Sequence, residues 1–337
     1  MPPATTFLAS TRRSAWAYAP GVALALAVAA LAIVAERALA WPATVVALLA
    51  GMALHPVAAR APFKDGLTFC VKKVLRWGVA LLGLRVALGD ILALGPSVIV
   101  IVILSMTVTI LSAVWLARAF GRDSAFGALA GGATAVCGAS AALAVSTVLP
   151  RGPTREADTV FVVLAVNALS TVAMLLYPLV AQALGYDDRT TGILLGATIH
   201  DVAQVVGAGF AVSETAGASA VVVKLFRVFL LLPVVLGVGY GLARMGGEAG
   251  KAKVPVPVFA FVFLGFVALN SAGIVPVEIK AVGAETARWF LTMAIAALGL
   301  GTSVKAMTAL GWKPLAVTLA ATGVILACVI LGLFLTA

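Results

Sequence analysis

Apolar segments of about the length of a membrane-spanning helix fill most of this chain. Short connections that carry Pro, Gly or charge separate them, as at Trp41-Pro42 and Gly95-Pro96. Since a spanning helix needs about 20 apolar residues, the pattern predicts eleven transmembrane helices. Their predicted ranges are 15–35, 41–59, 67–94, 96–117, 125–149, 157–184, 190–211, 217–243, 255–274, 286–309 and 312–335.

The composition also indicates a helical membrane protein. Of the 337 residues, 63% are hydrophobic and 11% are charged, and soluble domains do not have this balance. The predicted fold class is therefore an all-α polytopic membrane protein that lies in a lipid bilayer. Cys70, Cys137 and Cys328 are too far apart to indicate disulfides or a metal site, and the sequence predicts no cofactor.

The basic residues predict an orientation. The net charge of +10 comes from Lys and Arg scattered over short loops and helix ends, which favours membrane topology over nucleic-acid binding as its cause. If the N-terminus is cytoplasmic, eleven of these residues lie on the cytoplasmic side and five on the opposite side. The sequence thus predicts a cytoplasmic N-terminus and a C-terminus on the other side. Arg12-Arg13 and the apolar run after them resemble a signal peptide, but further spans follow, so we expect a retained first helix.

One predicted span contains a glycine-rich stretch, residues 131–146, with the sequence GGATAVCGASAALAVS. Glycine weakens a helix interior by about 1 kcal/mol relative to alanine, and irregular backbone survives in a bilayer only where protein or water covers it. One interpretation is a helix broken near Cys137-Gly138, with a half-helix starting at Ala139-Ser140 whose free N–H groups form an anion site. The other is a regular helix that packs closely through small residues.

The second half of the chain repeats features of the first half in the same order. Both histidines of the chain follow a glycine by four residues, and the next span of each half carries Lys-x-x-Arg. Two spans later come the tetrapeptides CGAS and LGTS. The matching residues are Gly51 and Gly196, His55 and His200, Lys73 with Arg76 and Lys224 with Arg227, and Cys137 to Ser140 with Leu300 to Ser303.

These matches predict two five-helix repeats. Because five is odd, the second repeat enters the membrane from the opposite side, and inverted repeats of this kind are common in secondary transporters. The predicted domains are an extra helix in residues 1–40, a first repeat in 41–184 and a second repeat in 190–337. Residues 297–303, ALGLGTS, are also interrupted by glycine at the matching place. Paired interrupted spans mark transporter binding sites, so the repeat favours the broken-helix interpretation.

Several pieces of the chain resemble the YeiH-type bacterial inner-membrane proteins, a family described as sulfate exporters. They are GGATAVCGASAALA, GATIHDVAQVVGAGF, KLFRVFLLLPV, VPVFAFVFLGF and GWKPL. The resemblance implies the cation:proton antiporter and anion transporter superfamily, with an NhaA- or bile-acid-transporter-like fold of inverted five-helix repeats and crossed discontinuous helices. It also implies that spans 4–6 and 9–11 move against a scaffold of spans 2, 3, 7 and 8. The expected location is the bacterial inner membrane, with the C-terminus in the periplasm.

Two predicted half-helix starts are the candidates for binding an anion. Their N–H groups and hydroxyls suit an oxyanion, although a hydroxyl can also bond back to its own helix. Cys137 is either a cavity-lining residue or a small buried apolar one. The candidate substrate-binding residues are Gly138, Ala139 and Ser140 in one segment and Gly301, Thr302 and Ser303 in the other.

Lys224 and Arg227 are three residues apart on one helical face, well inside a span, and are further candidates for the substrate site. Ionisable residues within spans are costly and usually functional. The alternative is that they snorkel to the membrane interface. For Lys73 and Arg76 we expect a role as membrane anchors.

His200 and Asp201 are the candidates for proton coupling, since a histidine beside a carboxylate titrates near physiological pH; a hydrogen-bonded core pair is the alternative. On a regular helix, His200 and Gln204 would share a face. His55, before Pro56, is expected to be structural. Asn167, Gln204 and Asn270 are candidates for lining a cavity, or else for bonding between helices.

The sequence therefore predicts a secondary transporter of a small inorganic or sulfur-containing anion, working by alternating access. A coupling proton or sodium ion and a homodimer are further expectations. The alternative within transport is a cation:proton antiporter, which usually needs intramembrane carboxylates that neither interrupted segment contains. An intramembrane enzyme is the alternative of another class, but the sequence shows neither a nucleophile with a base nor a metal motif.

Overall fold

The computed structural model describes residues 4–39, 42–150, 154–244, 258–302 and 312–336. This part of the chain is helical and contains no strand. The helices are α1 (Ala4–Leu39), α2 (Ala43–Ala53), α3 (His55–Ala58), α4 (Ala61–Phe69), a π-helical turn (Cys70–Val74), α5 (Leu75–Leu82), α6 (Leu88–Ala93), α7 (Gly95–Ala119), α8 (Ser124–Ala135), α9 (Ala139–Ser146), α10 (Arg155–Ala183), α11 (Asp188–Thr198), α12 (Val202–Val212), α13 (Glu214–Phe229), α14 (Leu231–Arg244), α15 (Val258–Ser271), α16 (Val277–Gly301) and α17 (Trp312–Thr336).

Five helical segments of the described chain are long and apolar enough to cross a membrane. They are Ala17–Glu36, Gly95–Ala119, Ala157–Ala183, Glu214–Leu242 and Pro314–Thr336. Each coincides with one predicted span. Of the other six predicted spans, four are divided into successive helices, 255–274 contains a shorter helix, and 286–309 extends beyond the described residues, so the count of eleven stays a prediction.

One compact unit combines residues 1–87 with 261–304. Within it α1 packs on α4, and α16 packs on α2 and α5. Glycine allows the backbones to approach closely: a Cβ at Gly51 of α2 would lie 2.6 Å from the carbonyl oxygen of Ala296 in α16. Close contact through small residues is the usual way that helices associate in a bilayer.

The second compact unit combines residues 88–260 with 305–337. Here α7 packs on α8 and α17, and α13 packs on α11 and α12. A Cβ at Gly196 of α11 would lie 2.4 Å from the carbonyl oxygen of Ala220 in α13. This close contact sets α13 directly against α11, which determines where the basic side chains of α13 reach.

The compact units do not follow the order of the chain. The first unit contains α2, α4 and α5 of the first predicted repeat together with α16 of the second, so each unit draws on both predicted repeats. The grouping also differs from the moving core and scaffold that the resemblance implies, since predicted spans 9 and 10 lie mainly with spans 2 and 3. The repeat boundaries and their inversion stay predictions.

Candidate functional site

The glycine-rich stretch contains a helix break. Helix α8 ends at Ala135, α9 starts at Ala139, and Gly138 between them has φ 66° and ψ −126°. Only glycine adopts this conformation without strain. Gly131 fits the close-packing interpretation, because it lies inside α8, where an added Cβ would come within 2.8 Å of Ala113 in α7. The two interpretations thus apply to different glycines of one stretch.

A second break lies in the predicted span 190–211, where a regular helix was expected. Helix α11 ends at Thr198 and α12 begins at Val202, with residues 199–201 between them in extended or bent backbone. The prediction that His200 and Gln204 share a helical face is therefore wrong, because His200 lies outside both helices. The Asp201 carboxylate accepts a hydrogen bond from the N–H of Ala203 at 2.8 Å and so caps the start of α12.

Arg227 of α13 joins the two breaks. Its guanidinium makes five hydrogen bonds, all to backbone carbonyl oxygens: Nε to Ala135 at 3.0 Å, Nη1 to Gly196 and Ile199 at 3.0 Å, and Nη2 to Thr134 at 2.9 Å and Ala135 at 2.8 Å. A guanidinium has five N–H donors in a fixed plane, so the protein uses all of them. Arg227 is fully buried.

Lys224, one turn earlier on α13, does the same with its ammonium group. Nζ donates to the carbonyl oxygens of Val136 at 2.7 Å and Ile199 at 2.9 Å, and also to that of His200. An ammonium has three N–H donors, and these three bonds use them all. Lys224 is fully buried as well, so snorkelling to the interface is ruled out for both residues.

These eight bonds satisfy carbonyl groups that the two breaks leave without a hydrogen-bond donor in their own helix. The last carbonyl groups of a helix have no partner within it, and in a bilayer water is not there to bind them. Thr134, Ala135 and Val136 at the end of α8, and Gly196, Ile199 and His200 at the end of α11, obtain partners from α13. A positive charge is also favourable beside the negative end of a helix.

With Lys224 and Arg227 protonated, the forms that their eight donated hydrogen bonds need, the site carries a net positive charge. Among the ion pairs of the described residues, none includes Lys224 or Arg227. The partial charges of the two helix ends and the two helix starts cancel, at about half an elementary charge each. The two cations therefore leave a balance of about +1 even when Asp201 is ionised.

His200 and Asp201 have different partners. Nε2 of His200 lies 3.0 Å from Oγ1 of Thr322 in α17. The Thr322 hydroxyl donates to the carbonyl oxygen of Thr318 at 2.9 Å, so it accepts from His200, and the proton is on Nε2. No hydrogen bond among the described residues joins His200 to Asp201. The proton-coupling role of the two stays a prediction.

Buried polar atoms beside the breaks lack a partner in the described structure. They are Nδ1 of His200, Oγ1 of Thr134 and Oε1 of Gln204. The Gln204 amide donates to Oγ1 of Thr171 at 2.9 Å and to the carbonyl oxygen of Asn167 at 3.4 Å. The Asn167 backbone thus takes part in the bonding between α10 and α12, while Cys137 is buried at the break.

The start of α9 is the open part of this site. Ser140 is exposed, Ala139 is half-buried and Gly138 is buried. No side chain caps α9 at Gly138, in contrast to Asp201 at the start of α12. The first N–H groups of a helix have no intrahelical acceptor, so this start offers donors to a ligand.

The remaining candidates belong to the other compact unit. Nδ1 of His55 lies 2.8 Å from the carbonyl oxygen of Leu300; since a carbonyl only accepts, His55 carries a proton there and caps the end of α16, a structural role. Gly301 ends α16, Thr302 follows it, and Ser303 lies outside the described residues. Asn270 donates to the carbonyl oxygen of Val86 at 3.1 Å. The convergence of this segment with the α8–α9 break stays a prediction.

The sequence contained a signal for the second break. Asp201 followed by Gln204 three residues later is the pattern of a helix start, and Asp123, Asp187 and Ser213 cap other helices of the chain in the same way. The local sequence did not indicate that α13 caps the ends of α8 and α11, because these hydrogen bonds join residues that are 24 to 93 positions apart.

The fold and the site together define a polytopic helical membrane protein with buried charges at interrupted helices. The chain belongs to the UPF0324 family: the family profile described as Conserved hypothetical protein 698 matches residues 20–318. It is 44% identical over 318 residues to a UPF0324 membrane protein of Chlorobaculum tepidum, covering 94% of this chain and 88% of the relative.

Two further relatives have names of their own. The chain is 44% identical over 318 residues to the UPF0324 membrane protein TauZ of Paracoccus denitrificans, covering 93% of this chain and 94% of TauZ. It is 33% identical over 326 residues to the UPF0324 inner membrane protein YeiH of Escherichia coli K12, covering 93% and 92%. The resemblance to the YeiH-type family is thus confirmed. No solved structure matches the chain.

Proposed function

We propose that this protein is a secondary transporter of a small inorganic or sulfur-containing anion, with sulfate as the first candidate substrate. The observation that carries the proposal is the pair of fully buried cations, Lys224 and Arg227, at two helix breaks. Neither forms an ion pair with a carboxylate among the described residues. Charges within a membrane are costly and mark functional sites. Interrupted helices are where secondary transporters bind their substrates.

In this proposal the anion binds at the start of α9. The N–H groups of Ala139 and Ser140 and the Ser140 hydroxyl donate to it, as helix starts do to oxyanions. Gly301, Thr302 and Ser303, the matching residues of the second predicted repeat, stay candidate substrate-binding residues in this proposal. The substrate is carried across by alternating access of the two predicted repeats.

Lys224 and Arg227 contribute through their electric field and not through contacts. All of their N–H donors already bind backbone oxygens, so direct binding of an anion would break a satisfied network. The field of a buried charge is weakly screened in a low-dielectric interior. The two cations therefore make the α9 start attractive to anions without touching them.

The positive balance of the site argues against the alternative, a cation:proton antiporter. Asp201 is the acidic residue at the breaks, and its carboxylate caps α12. If cation transport by the protein is found and Asp201→Asn abolishes it, the antiporter takes the place of the anion transporter. The proposal gives no residue a catalytic role and involves no cofactor or nucleic acid.

A charge reversal in proteoliposomes tests the site. Ser140→Asp places a carboxylate at the start of α9, where it suits the helix dipole, so folding is kept while the anion is repelled. We expect sulfate or sulfite uptake to fall at least about tenfold, the effect of a lost interaction of about 1.4 kcal/mol.

Ser140→Asn is the matched control, because its neutral amide has the shape of the aspartate side chain and still offers an N–H donor at the start of α9. This variant should transport at the wild-type rate. Equal uptake by wild type and Ser140→Asp would remove the site assignment. No uptake of any anion by a folded wild-type protein would remove the function itself.

The proposal also fixes the orientation, with a cytoplasmic N-terminus and a periplasmic C-terminus in a bacterial inner membrane. A reporter fused after Ala337 that is active only in the periplasm tests it. Activity of a cytoplasmic reporter at that position would reverse the assignment. A homodimer remains part of the proposal as the assembly to look for in the purified protein.

A further inference from the structure

We propose that the oxygens at the two breaks form a site for a monovalent cation, and that the protein fills this site permanently with the ammonium group of Lys224. The inference goes beyond anion transport, because it concerns a cation site and a built-in cation. Only its consequence for coupling, given below, rests on the proposed function.

The geometry is that of a cation site. The carbonyl oxygens of Val136, Ile199 and His200 come from two separate helix breaks and converge on one nitrogen at hydrogen-bond distance. Two of the three bonds measure 2.7 Å and 2.9 Å. In secondary transporters, unwound carbonyls and the C-terminal ends of half-helices are the groups that coordinate a coupling ion.

The chemistry requires a full positive charge at this point. Each of the oxygens lies at or just beyond the negative end of a helix, and a neutral amine has only two N–H donors for three acceptors. An ammonium ion satisfies all three. The ammonium is carried on α13 by a fully buried side chain, so the cation cannot leave.

A consequence follows for coupling. A free sodium ion has no place among these oxygens while Lys224 occupies them, so transport that uses this site does not depend on sodium. The sequence left proton and sodium coupling open, and the occupied site favours the former. This consequence holds only if the protein transports an anion as proposed.

Chemical rescue tests the inference without any transport measurement. Lys224→Ala removes three carbon atoms and the ammonium, which is the shape of n-propylammonium. We expect the thermal midpoint of the detergent-solubilised variant to fall by about 10 °C, since three buried carbonyls lose their partner. Propylammonium should restore most of this loss, with saturation in roughly the millimolar range. Small inorganic cations such as ammonium or potassium should restore part of it.

Matched controls separate a cation site from a general salt effect. Choline has a full charge but no N–H group, so it should not rescue Lys224→Ala at equal ionic strength. Lys224→Met fills the space of the side chain without a charge, and propylammonium should not rescue it. Rescue by choline as well, or an equal response of both variants, would overturn the inference.

Thermal midpoints of the wild-type protein in different cations test the inference even if Lys224→Ala does not fold. We expect sodium, potassium and choline to give the same wild-type thermal midpoint at equal ionic strength. A saturated ion site would raise the thermal midpoint by about 3 °C or more. If sodium or potassium raises the wild-type midpoint by that amount and the increase is lost in Lys224→Met, a free cation binds there and the inference is overturned. If propylammonium rescues Lys224→Ala as expected and the wild type transports no anion, the cation site stands and the proposed function fails.

Discussion

Gly138 shows how much one residue decides in this protein. Its positive φ turns the chain between α8 and α9, and Arg227 and Lys224 bind the carbonyls that this turn leaves open as well as those of the second break. The sequence identified this position to within one residue, because a glycine among small residues has a local cost that can be estimated. It did not assign a separate packing role to Gly131, because the contact of Gly131 with α7 is not a local property.

We expect Gly138→Ala to destabilise the protein by about 1–3 kcal/mol, the cost of a non-glycine residue in a forbidden backbone region. The cost is conformational, because the nearest atoms to an added Cβ, in His200, lie at 3.7 Å, which is ordinary contact. Denaturation in detergent measures it. Gly237→Ala in α14, with nothing within 4 Å of the added atom, is the control and should cause no loss. Equal stability of Gly138→Ala and wild type would contradict the strained conformation.

Asp123 caps the start of α8. Its carboxylate accepts from the N–H of Phe126 at 2.8 Å and from Arg155 at 2.9 Å. Partial burial raises the pKa of Asp123, but the hydrogen bonds from Arg155 and Phe126 outweigh it, so the pKa lies below the ordinary value of 3.8. The stabilising contribution is therefore complete above pH 3.8 and is lost as the pH falls through the lowered pKa.

Asp123→Ala should lower the free energy of unfolding by about 1–2 kcal/mol at neutral pH, through the lost helix cap and a small ion-pair contribution. Asp123→Asn keeps the cap and should lose less than half of that amount. The difference between wild type and Asp123→Ala should shrink below pH 3.8 in thermal denaturation. A difference that grows with acidity would show that the carboxylate is not the stabilising form.

Among the helices, α13 has the central position, because it supplies the partners for both breaks. The sequence predicted that Lys224 and Arg227 lie on one helical face, and in the structure both donate to carbonyl oxygens of the same two breaks. It expected a substrate contact for them, whereas the structure shows backbone oxygens in that place. The sequence could not predict these bonds, because they depend on how α8, α11 and α13 pack together. No local sequence pattern indicates that packing.

Arg227→Lys tests this arrangement of α8, α11 and α13. Lysine keeps the charge but has three donors for five bonds, so at least two carbonyl bonds are lost, at a cost of about 2–4 kcal/mol. Because one side chain serves both breaks, hydrogen exchange should increase in residues 134–140 and 196–202 together. Asp201→Ala is the control and should increase exchange at the start of α12 alone. Increased exchange at one break only in Arg227→Lys would contradict the shared cap.

At the scale of the whole molecule, the sequence predicted an all-helical membrane protein and its family, but not the grouping of helices into compact units. The apolar pattern is strong for the five long segments, including α7 and α10, and all of these were predicted. The break between α11 and α12 was missed because apolar residues continue on both sides of it. The inverted repeat still rests on matching residues such as His55 and His200, and their environments differ: one caps α16 and the other binds Thr322.

A disulfide crosslink tests the predicted convergence of the two matching segments. We expect Ser140→Cys and Thr302→Cys, introduced into a protein whose native cysteines are replaced, to form a crosslink under mild oxidation if the predicted inverted repeat is correct. A disulfide needs Cα atoms closer than about 7 Å, and a short bifunctional reagent extends this range. Ser146→Cys with Thr302→Cys is the control. Crosslinking of the control pair but not of the test pair would contradict the inverted repeat.

The dependence of two early breaks on one later helix has a consequence for biosynthesis. The ribosome completes α8 and α9 long before it adds Arg227, and until then the carbonyls of Thr134 and Ala135 have no partner within the nascent chain. The hydrogen bonds that satisfy the two breaks can therefore form only after α13 has entered the bilayer. Chains that stop before Lys224 should be cleared by membrane proteases, whereas those that stop after α13 should persist.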